Sequence, residues 1–396
     1  MKPGWEVKKL GDVLEIQNGY AFDSKQFSNE LGTPLIRIRD IKSGVRTKTN
    51  FNGQFDKKYL VESGDYLIGM DGEFGCYEWN GPNALLNQRV CRLHKFTSQL
   101  HPRFVLYGIN KYLKAIEDVT AFTTVKHISS TQILKIEIPL PPLPEQQRIV
   151  AILDQVFAAI AKAKANAEQN LKNAKELFES YLQGVFEKKG EGWERIRLGD
   201  VCKINDGTHH SPKNTAEGQF MYITAKNIKP YHIDLTKISY LTEADHRAIF
   251  ARCAPVKGDV LYIKDGATAG IAAVNTLDEE FSLLSSVALL KCSAKVLNTF
   301  LVHYMNSTIG KKNFMGYIDG AAITRITLIK MKDVCFSIPS FTTQQTIVRD
   351  LEMLAAETSK LEGIYKSKLS DLEELKKSIL QKAFAGELGS KIIEVS

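Results

Sequence analysis

One stretch of this 396-residue chain occurs twice. Gln146–Phe186 realigns without a gap on Gln344–Phe384, 198 positions on, and 14 of the 41 aligned positions are identical. Neither copy contains proline, and each reads as one long helix with an apolar repeat every seven residues. In the first copy the repeat runs through Leu153, Val156, Ile160, Leu177 and Tyr181. In the second it runs through Leu351, Leu354, Leu361, Leu372, Leu375 and Ile379. A 3.5-residue period sustained over this length predicts a coiled-coil seam. At 1.5 Å per residue each helix would be about 60 Å long. Alanines 163, 167 and 174 would let a partner helix come close, and Leu361, Tyr365 and Leu372 could fill the space, so the two helices are expected to pair with each other. Pro144 suits the first helical turn, Thr342 with Gln345 reads as a capping box, and Gly190 and Gly386 read as stops.

The segments between the helices repeat as well. Trp5-Glu6, Leu10-Gly11-Asp12-Val13, Ile16 and Gly19 return as Trp193-Glu194, Leu198-Gly199-Asp200-Val201, Ile204 and Gly207, an offset of 188. Gly64-Asp65 and Asp71-Gly72 return as Gly258-Asp259 and Asp265-Gly266 at 194, and from Leu85-Leu86 the offset is read as 198. The order is therefore globular, helix, globular, helix. The expected divisions are residues 1–143, a helix over 144–190, residues 191–340, a helix over 341–390 and a tail over 391–396. Short β-branched and aromatic runs punctuated by Gly, Asp and Asn predict strands, with helical patterns near 102–117 and 297–312. The fold class is α+β: two pseudo-repeated globular domains separated by two long helices packed as an antiparallel coiled coil.

The chemistry is narrowed by elimination. There is no phosphate-binding Gly-x-x-x-x-Gly-Lys-Ser/Thr loop, no Gly-x-Gly-x-x-Gly turn, no His-Glu-x-x-His and no Asn/Asp-Pro-Pro-Tyr/Phe loop. The six cysteines are scattered without a Cys-x-x-Cys pair, so neither a zinc site nor any other metal site is expected. No apolar signal core or membrane span is evident, and a cytoplasmic protein without catalytic activity of its own is expected. The net charge is +7, and its excess lies in the globular parts. Residues 1–143 carry 19 Lys+Arg against 15 Asp+Glu and residues 191–340 carry 18 against 15, whereas the helical segments nearly cancel. A polyanion would be met by the globular parts, leaving the helices for protein contacts.

These residues resemble a known family, the specificity (S) subunits of type I restriction–modification enzymes. The resemblance rests on Leu140-Pro-Pro-Leu-Pro-Glu-Gln-Gln-Arg-Ile-Val150, on the Trp-Glu…Leu-Gly-Asp-Val opening of both halves, on Leu67-Ile-Gly-Met-Asp-Gly-Glu-Phe-Gly75, on Leu85-Leu-Asn-Gln-Arg-Val90, and on the half-chain repeat. It implies two target recognition domains, each reading one half of a bipartite, asymmetric double-stranded DNA target. The helices would set the spacing and dock two methyltransferase (M) subunits. S-adenosylmethionine would sit on those subunits and not on this chain, and motor-nuclease (R) subunits would join the assembly. Ile338-Pro-Ser-Phe-Thr-Thr-Gln-Gln345 departs from the proline-rich form of the first helix start. The competing reading is a coiled-coil scaffold carrying two domains for ligands other than DNA.

Base reading needs exposed Arg, Lys, Asn, Gln or carboxylate groups, and phosphate anchoring needs cations and hydroxyls. The candidates in the first half are Arg37, Arg39, Lys42, Asp71, Glu73, Gln88, Arg89, Lys126 and His127. In the second they are Lys226, Asn227, Lys264, Asp265, Thr324 and Arg325. Each can equally be a solvated charge or a partner in an internal ion pair. For Asp71 and Asp265, both before glycine, turn formation is the simpler reading.

Overall fold

The computed structural model describes residues 2–120, 126–316 and 325–388. The chain divides into two compact units: unit 1 comprises Met1–Asn166 with Lys368–Ser396, and unit 2 comprises Ala167–Ser367. Both long helices are present, a central helix Leu143–Lys188 and a C-terminal helix Phe341–Ala385. Each runs through both units, the central helix dividing at Asn166/Ala167 and the C-terminal helix at Ser367/Lys368.

In unit 1 a four-stranded antiparallel sheet has β1 (Glu15–Asn18), β2 (Tyr66–Gly69), β3 (Gly75–Glu78) and β4 (Val90–His94) in the order β1-β4-β2-β3. Unit 2 repeats it with β5 (Cys202–Asp206), β6 (Val260–Ile263), β7 (Ala272–Val274) and β8 (Val287–Cys292) in the order β5-β8-β6-β7. A smaller mixed sheet adjoins each, with Thr33–Ile36 parallel to Ala84–Leu86 and Phe220–Ile223 parallel to Phe281–Leu283. The first strand of each globular part pairs with its last. Glu6 lies opposite Leu140 and Glu194 opposite Ile338, which delivers the chain to the start of a long helix.

The repeated glutamines now have a physical reason. Gln146 is fully buried at the start of the central helix. Its amide donates to the carbonyls of Gln99 and Pro141, both at 2.8 Å, and its oxygen accepts from the His101 N–H at 2.8 Å. Gln344 does the same with Lys295, Pro339 and Leu297. A buried amide must satisfy both ends, and here each weld ties the start of a long helix to the segment leading into its domain's own helix.

Within unit 1 the helix halves run antiparallel. Arg148 reaches the Leu388 carbonyl, Lys376 lies over the Phe157 ring, and Lys164 pairs with Glu373. In unit 2, Leu182 and Phe186 share a core with Val348 and Leu351. The first stripe of the predicted seam is buried: Leu153, Ile160, Ala167, Ala174 and Leu351, with Leu372 and Ile379 half-buried. Val156 and Leu354 are half-buried too. Four predicted seam residues are not in it. Leu177 and Tyr181 are 50% and 43% exposed, and Leu361 and Leu375 are 37% and 47% exposed. Partial burial falls instead on Phe157, Lys164, Leu171 and Phe178, and on Ala355, Glu362 and Leu369, four residues after the first stripe where three were predicted. On a helix of 3.6 residues per turn, position i+4 lies about 40° from i and i+3 about 60° away, so an unsupercoiled contact stripe leans toward i+4.

Other expectations change in detail. Strand register makes Leu86 equivalent to Leu283 and Cys91 to Ala288, an offset of 197 where 198 was read. The offset is 196 at Asn110 and Asn306, whose side chains accept from the N–H of Cys76 and Ala272. The helical pattern near 297–312 is two helices, Asn298–Asn306 and Thr308–Met315, because Ser307 caps the second with its hydroxyl. Ser340, not Thr342, caps the C-terminal helix, its Oγ accepting from the Thr343 N–H at 3.3 Å. The left-handed residue ending the central helix is Lys189 (φ 36°), and Gly190 is not left-handed; Gly386 (φ 77°) does stop the C-terminal helix.

Candidate nucleic-acid interface

In unit 1 the chain leaves β2 through Met70 into the Asp71–Gly72 turn. Gly72 takes φ 72°, a conformation that favours glycine. Two neighbouring segments are laced to this turn. The Met70 N–H donates to the Arg89 carbonyl at 3.0 Å, Ile128 donates to Met70 at 2.9 Å, and Gly72 donates to Lys126 at 3.0 Å. Residues 87–89 and 126–128 are thereby held against the turn. The Asp71 carboxylate lies 2.6 Å from His127 Nδ1 through one oxygen and 3.0 Å from Arg89 Nη1 through the other. Both side chains are about half exposed, so Asp71 orients them from beneath rather than offering a free acceptor.

Of the remaining unit 1 candidates, Lys42, Glu73, Gln88 and Lys126 lie on or beside this turn. Lys42 pairs with Glu73 at 3.2 Å, both exposed, and Glu73 holds the Lys42 ammonium above its ordinary range. Lys126 lies 3.6 Å from the largely buried Glu117, which also accepts from the Phe74 N–H. The Arg37 N–H donates to the Asp40 carboxylate, leaving Arg37 half-buried and Arg39 exposed. Gln88 is fixed by its backbone, whose N–H donates to the Tyr20 carbonyl at 3.0 Å, while its side chain is exposed.

Unit 2 repeats the frame with different chemistry. Lys264 donates from its N–H to Ser286 at 2.9 Å, Ile326 donates to Lys264 at 3.0 Å, and Asp265 bridges to Arg325 as Asp71 does to His127. Gly266 has φ 97°. Arg325 Nε stands 3.4 Å from Asp265 Oδ1, and the residue is exposed. Beneath the turn is an ion network that sequence reasoning missed. Lys264 Nζ lies 3.1 Å from Asp265 and 3.6 Å from Asp206, and Asp206 also pairs with Arg252 at 2.9 Å and His209 at 3.2 Å.

Two expected contacts in unit 2 are overturned. Lys264 is 1% exposed, its charge spent on Asp206 and Asp265. Asn227 is 5% exposed and satisfied internally: its oxygen accepts from the Thr224 N–H and hydroxyl, and its amide donates to Asp234 and Lys237. Both close loops that a neighbour uses, and a buried, paired group has nothing left for a ligand. Lys226 is exposed, and Thr324 lies outside the described residues. A signal for the missed network did exist, since Asp206 stands 188 positions from Asn18 at the end of the matching strand.

No group of His, Cys, Asp and Glu among the described residues could hold a metal ion, and none of their helices is long and apolar enough to cross a membrane. The profile of the family described as "Type I restriction modification DNA specificity domain" matches residues 2–172 and again 190–370. Among curated proteins, the type I restriction enzyme EcoBI specificity subunit of Escherichia coli is 29% identical, across 97% of this chain and 86% of that protein. The MjaVIII specificity subunit of Methanocaldococcus jannaschii is 22% identical, across 98% and 93%. Two solved structures share the fold. One is a chain from a type I R-M system solved for its complex assembly and conformational transition (TM-score 0.73, 22% identity, 98% of this chain and 99% of that one). The other is the HsdS subunit from Thermoanaerobacter tengcongensis (TM-score 0.65, 20% identity, 98% of each). Two profile matches spanning most of the chain, one over each repeat, decide the matter: the chain belongs to the family of type I restriction modification DNA specificity domains.

Proposed function

We propose that the chain is the sequence-specific DNA-binding specificity subunit of a type I restriction–modification complex, each globular part reading one half of a bipartite, asymmetric target. The observation that carries this reading is a duplicated turn. An aspartate–glycine corner holds exposed cations in both units, on one backbone frame, with different side chains around it. Like frames can present to two half-sites, and unlike side chains let the half-sites differ. The chain itself neither methylates nor cleaves DNA. It works in the cytoplasm, and its long helices dock two M subunits and set the spacing between half-sites. S-adenosylmethionine is bound by those M subunits, and R subunits join through the assembled complex.

The test exchanges residues 1–143 for the matching region of a relative with a known target, followed by sequencing of methylated sites in a host that also carries the M subunit. One half of the methylated motif changes and the other stays. A motif in which both halves change, or neither, overturns the assignment of one domain to one half. Methyl transfer by the purified chain without a partner would overturn its non-catalytic role.

A further inference from the structure

The duplicated turn identifies one position where the units share a backbone and differ in chemistry. The residues after it, Ile128 and Ile326, are both buried, and each donates its N–H to the residue preceding the aspartate. The position between anchor and turn is therefore fixed in both units. It carries His127 in unit 1 and Arg325 in unit 2, each exposed and each bridged to its aspartate. A shared, rigid and exposed frame with a changed side chain is where two related domains can part in specificity.

We propose that Arg325, oriented by Asp265, reads a guanine in the half-site of unit 2, and that residue 127 is the corresponding recognition position of unit 1. This rests on the DNA-recognition function proposed above. The geometry of the arginine carries the choice of base. The Asp265 carboxylate stands 3.4 Å from Nε rather than a terminal amino group, and the arginine side chain is 53% exposed. A planar pair of donors matches guanine O6 and N7 in the major groove, the pairing that arginine makes best. Asp265 is a positioning residue: it does not touch the base but draws the guanidinium toward the turn by its charge. Lys264, buried behind it, holds that carboxylate in turn. At the same position His127 offers a single ring nitrogen, because Nδ1 is taken by Asp71. The structure thus separates a two-donor reader from a one-atom reader at matched places.

The test uses the chain assembled with its M subunits and a panel of target duplexes in which each guanine of the unit 2 half-site is replaced in turn by 7-deazaguanine, which lacks N7. One position is expected to weaken wild-type binding, and the same replacement should have no further effect on the Arg325→Ala complex. Discrimination at that base pair should fall by roughly 5- to 150-fold in Arg325→Ala. Arg325→Lys keeps the charge and loses the fork, so it should lose discrimination while retaining the salt dependence of binding. Asp265→Asn should lower discrimination at the same base pair alone and supplies the answer if Arg325→Ala does not fold. Full discrimination in Arg325→Lys, or no guanine coupled to residue 325, overturns the inference. A wild-type complex without sequence-specific binding would instead overturn the functional reading on which it rests.

Discussion

Asn18 and Met70 in unit 1 stand where Asp206 and Lys264 stand in unit 2. The strands pair in the same way, and the backbone groups of Met70 and Lys264 make the same two hydrogen bonds. Unit 1 has neutral residues at these two places, Asn18 exposed and donating to Ser130 and Met70 buried, whereas unit 2 has a buried ion pair whose lysine is 1% exposed. The frame is therefore set by backbone lacing and by the glycine corner, while the charges beneath it are exchangeable. Exchangeable does not mean that either partner can be removed alone. A buried charge without its counter-ion costs far more than the intact pair contributes.

That distinction gives the largest expected effect. Lys264→Met leaves Asp206 and Asp265 without their buried cation, and about 3–5 kcal/mol of unit 2 stability should be lost, as expected when a buried pair is broken. Asp206→Asn alone removes one of the two carboxylates facing Lys264, leaving Asp265 as its counter-ion, and should destabilise the unit by less. The double variant Asp206→Asn/Lys264→Met carries the residue types of unit 1 at these two places but still leaves Asp265 without Lys264, so it should recover only part of the loss. Urea unfolding of the four proteins measures the coupling. Additive losses in the double variant would show that the two sites are not alternatives on one frame.

A second difference lies on the helices that face the long pair. Counting back from the matching Asn110 and Asn306, Tyr107 in unit 1 takes the place of His303 in unit 2. The Tyr107 hydroxyl donates to Asp154, whereas His303 is packed among Phe178 and Tyr231 with Nδ1 unpartnered among the described residues. Burial lowers the His303 pKa from 6.5 to about 4. The unfolded chain thus takes up the proton first as pH falls. Stability is complete above about pH 6.5 and is lost between there and about pH 4, by at most about 3 kcal/mol. Unit 1 has its acid-sensitive pair elsewhere. Hydrogen bonding from Arg148, with further help from Lys2, lowers Glu145 from 4.5 to about 2. Its contribution is present above about pH 4.5 and disappears only as pH falls through about 2. Thermal melts between pH 7 and 4.5 should therefore show early loss in unit 2, and His303→Phe, which keeps the ring packing, should abolish it. A pH dependence that survives that substitution would place the acid lability in another group.

What the sequence disclosed and what it hid follow from the same physics. Repeats are legible because identical residues mark identical backbone tasks, as Gln146 and Gln344 do at the helix starts. Strand and turn segments were legible from β-branched runs and glycine. The seam was half legible. The stripe through Leu153, Ile160, Leu351 and Leu372 is real, but Leu177 and Leu375 look equally apolar in sequence and only the contact stripe of the folded helices excludes them. Burial of polar groups was not legible from residue type alone. Lys264 and Asn227 have the composition of ligand contacts, and their buried partners come from positions distant in sequence: Asp206 reaches Lys264 across 58 residues. Contrasting the halves would have found it, since a charge in one half set against a neutral residue in the other flags a pair at each end.

The smallest expected effect concerns Lys42 and Glu73, and it separates stability from recognition on the same turn. Their side chains are each 67% exposed, in contrast to the buried pair of unit 2. Water screens such a pair, and holding two long side chains together costs the entropy that the attraction returns. Lys42→Ala should therefore leave the melting temperature of the chain unchanged within error. Its effect should appear only with DNA. If Lys42 meets a phosphate, the complex loses one released counter-ion, and the slope of log binding constant against log salt becomes shallower by about one, equally for every target sequence. Glu73→Gln should act in the opposite direction, freeing Lys42 and removing a negative charge facing the duplex, with tighter binding at low salt and no change in the preferred sequence. Salt titrations of the assembled complex on target and non-target duplexes would measure both. A Lys42→Ala complex that lost discrimination between targets instead of salt dependence would move Lys42 from the phosphates to a base edge, and unit 1 would then have a reader outside the turn that the two units share.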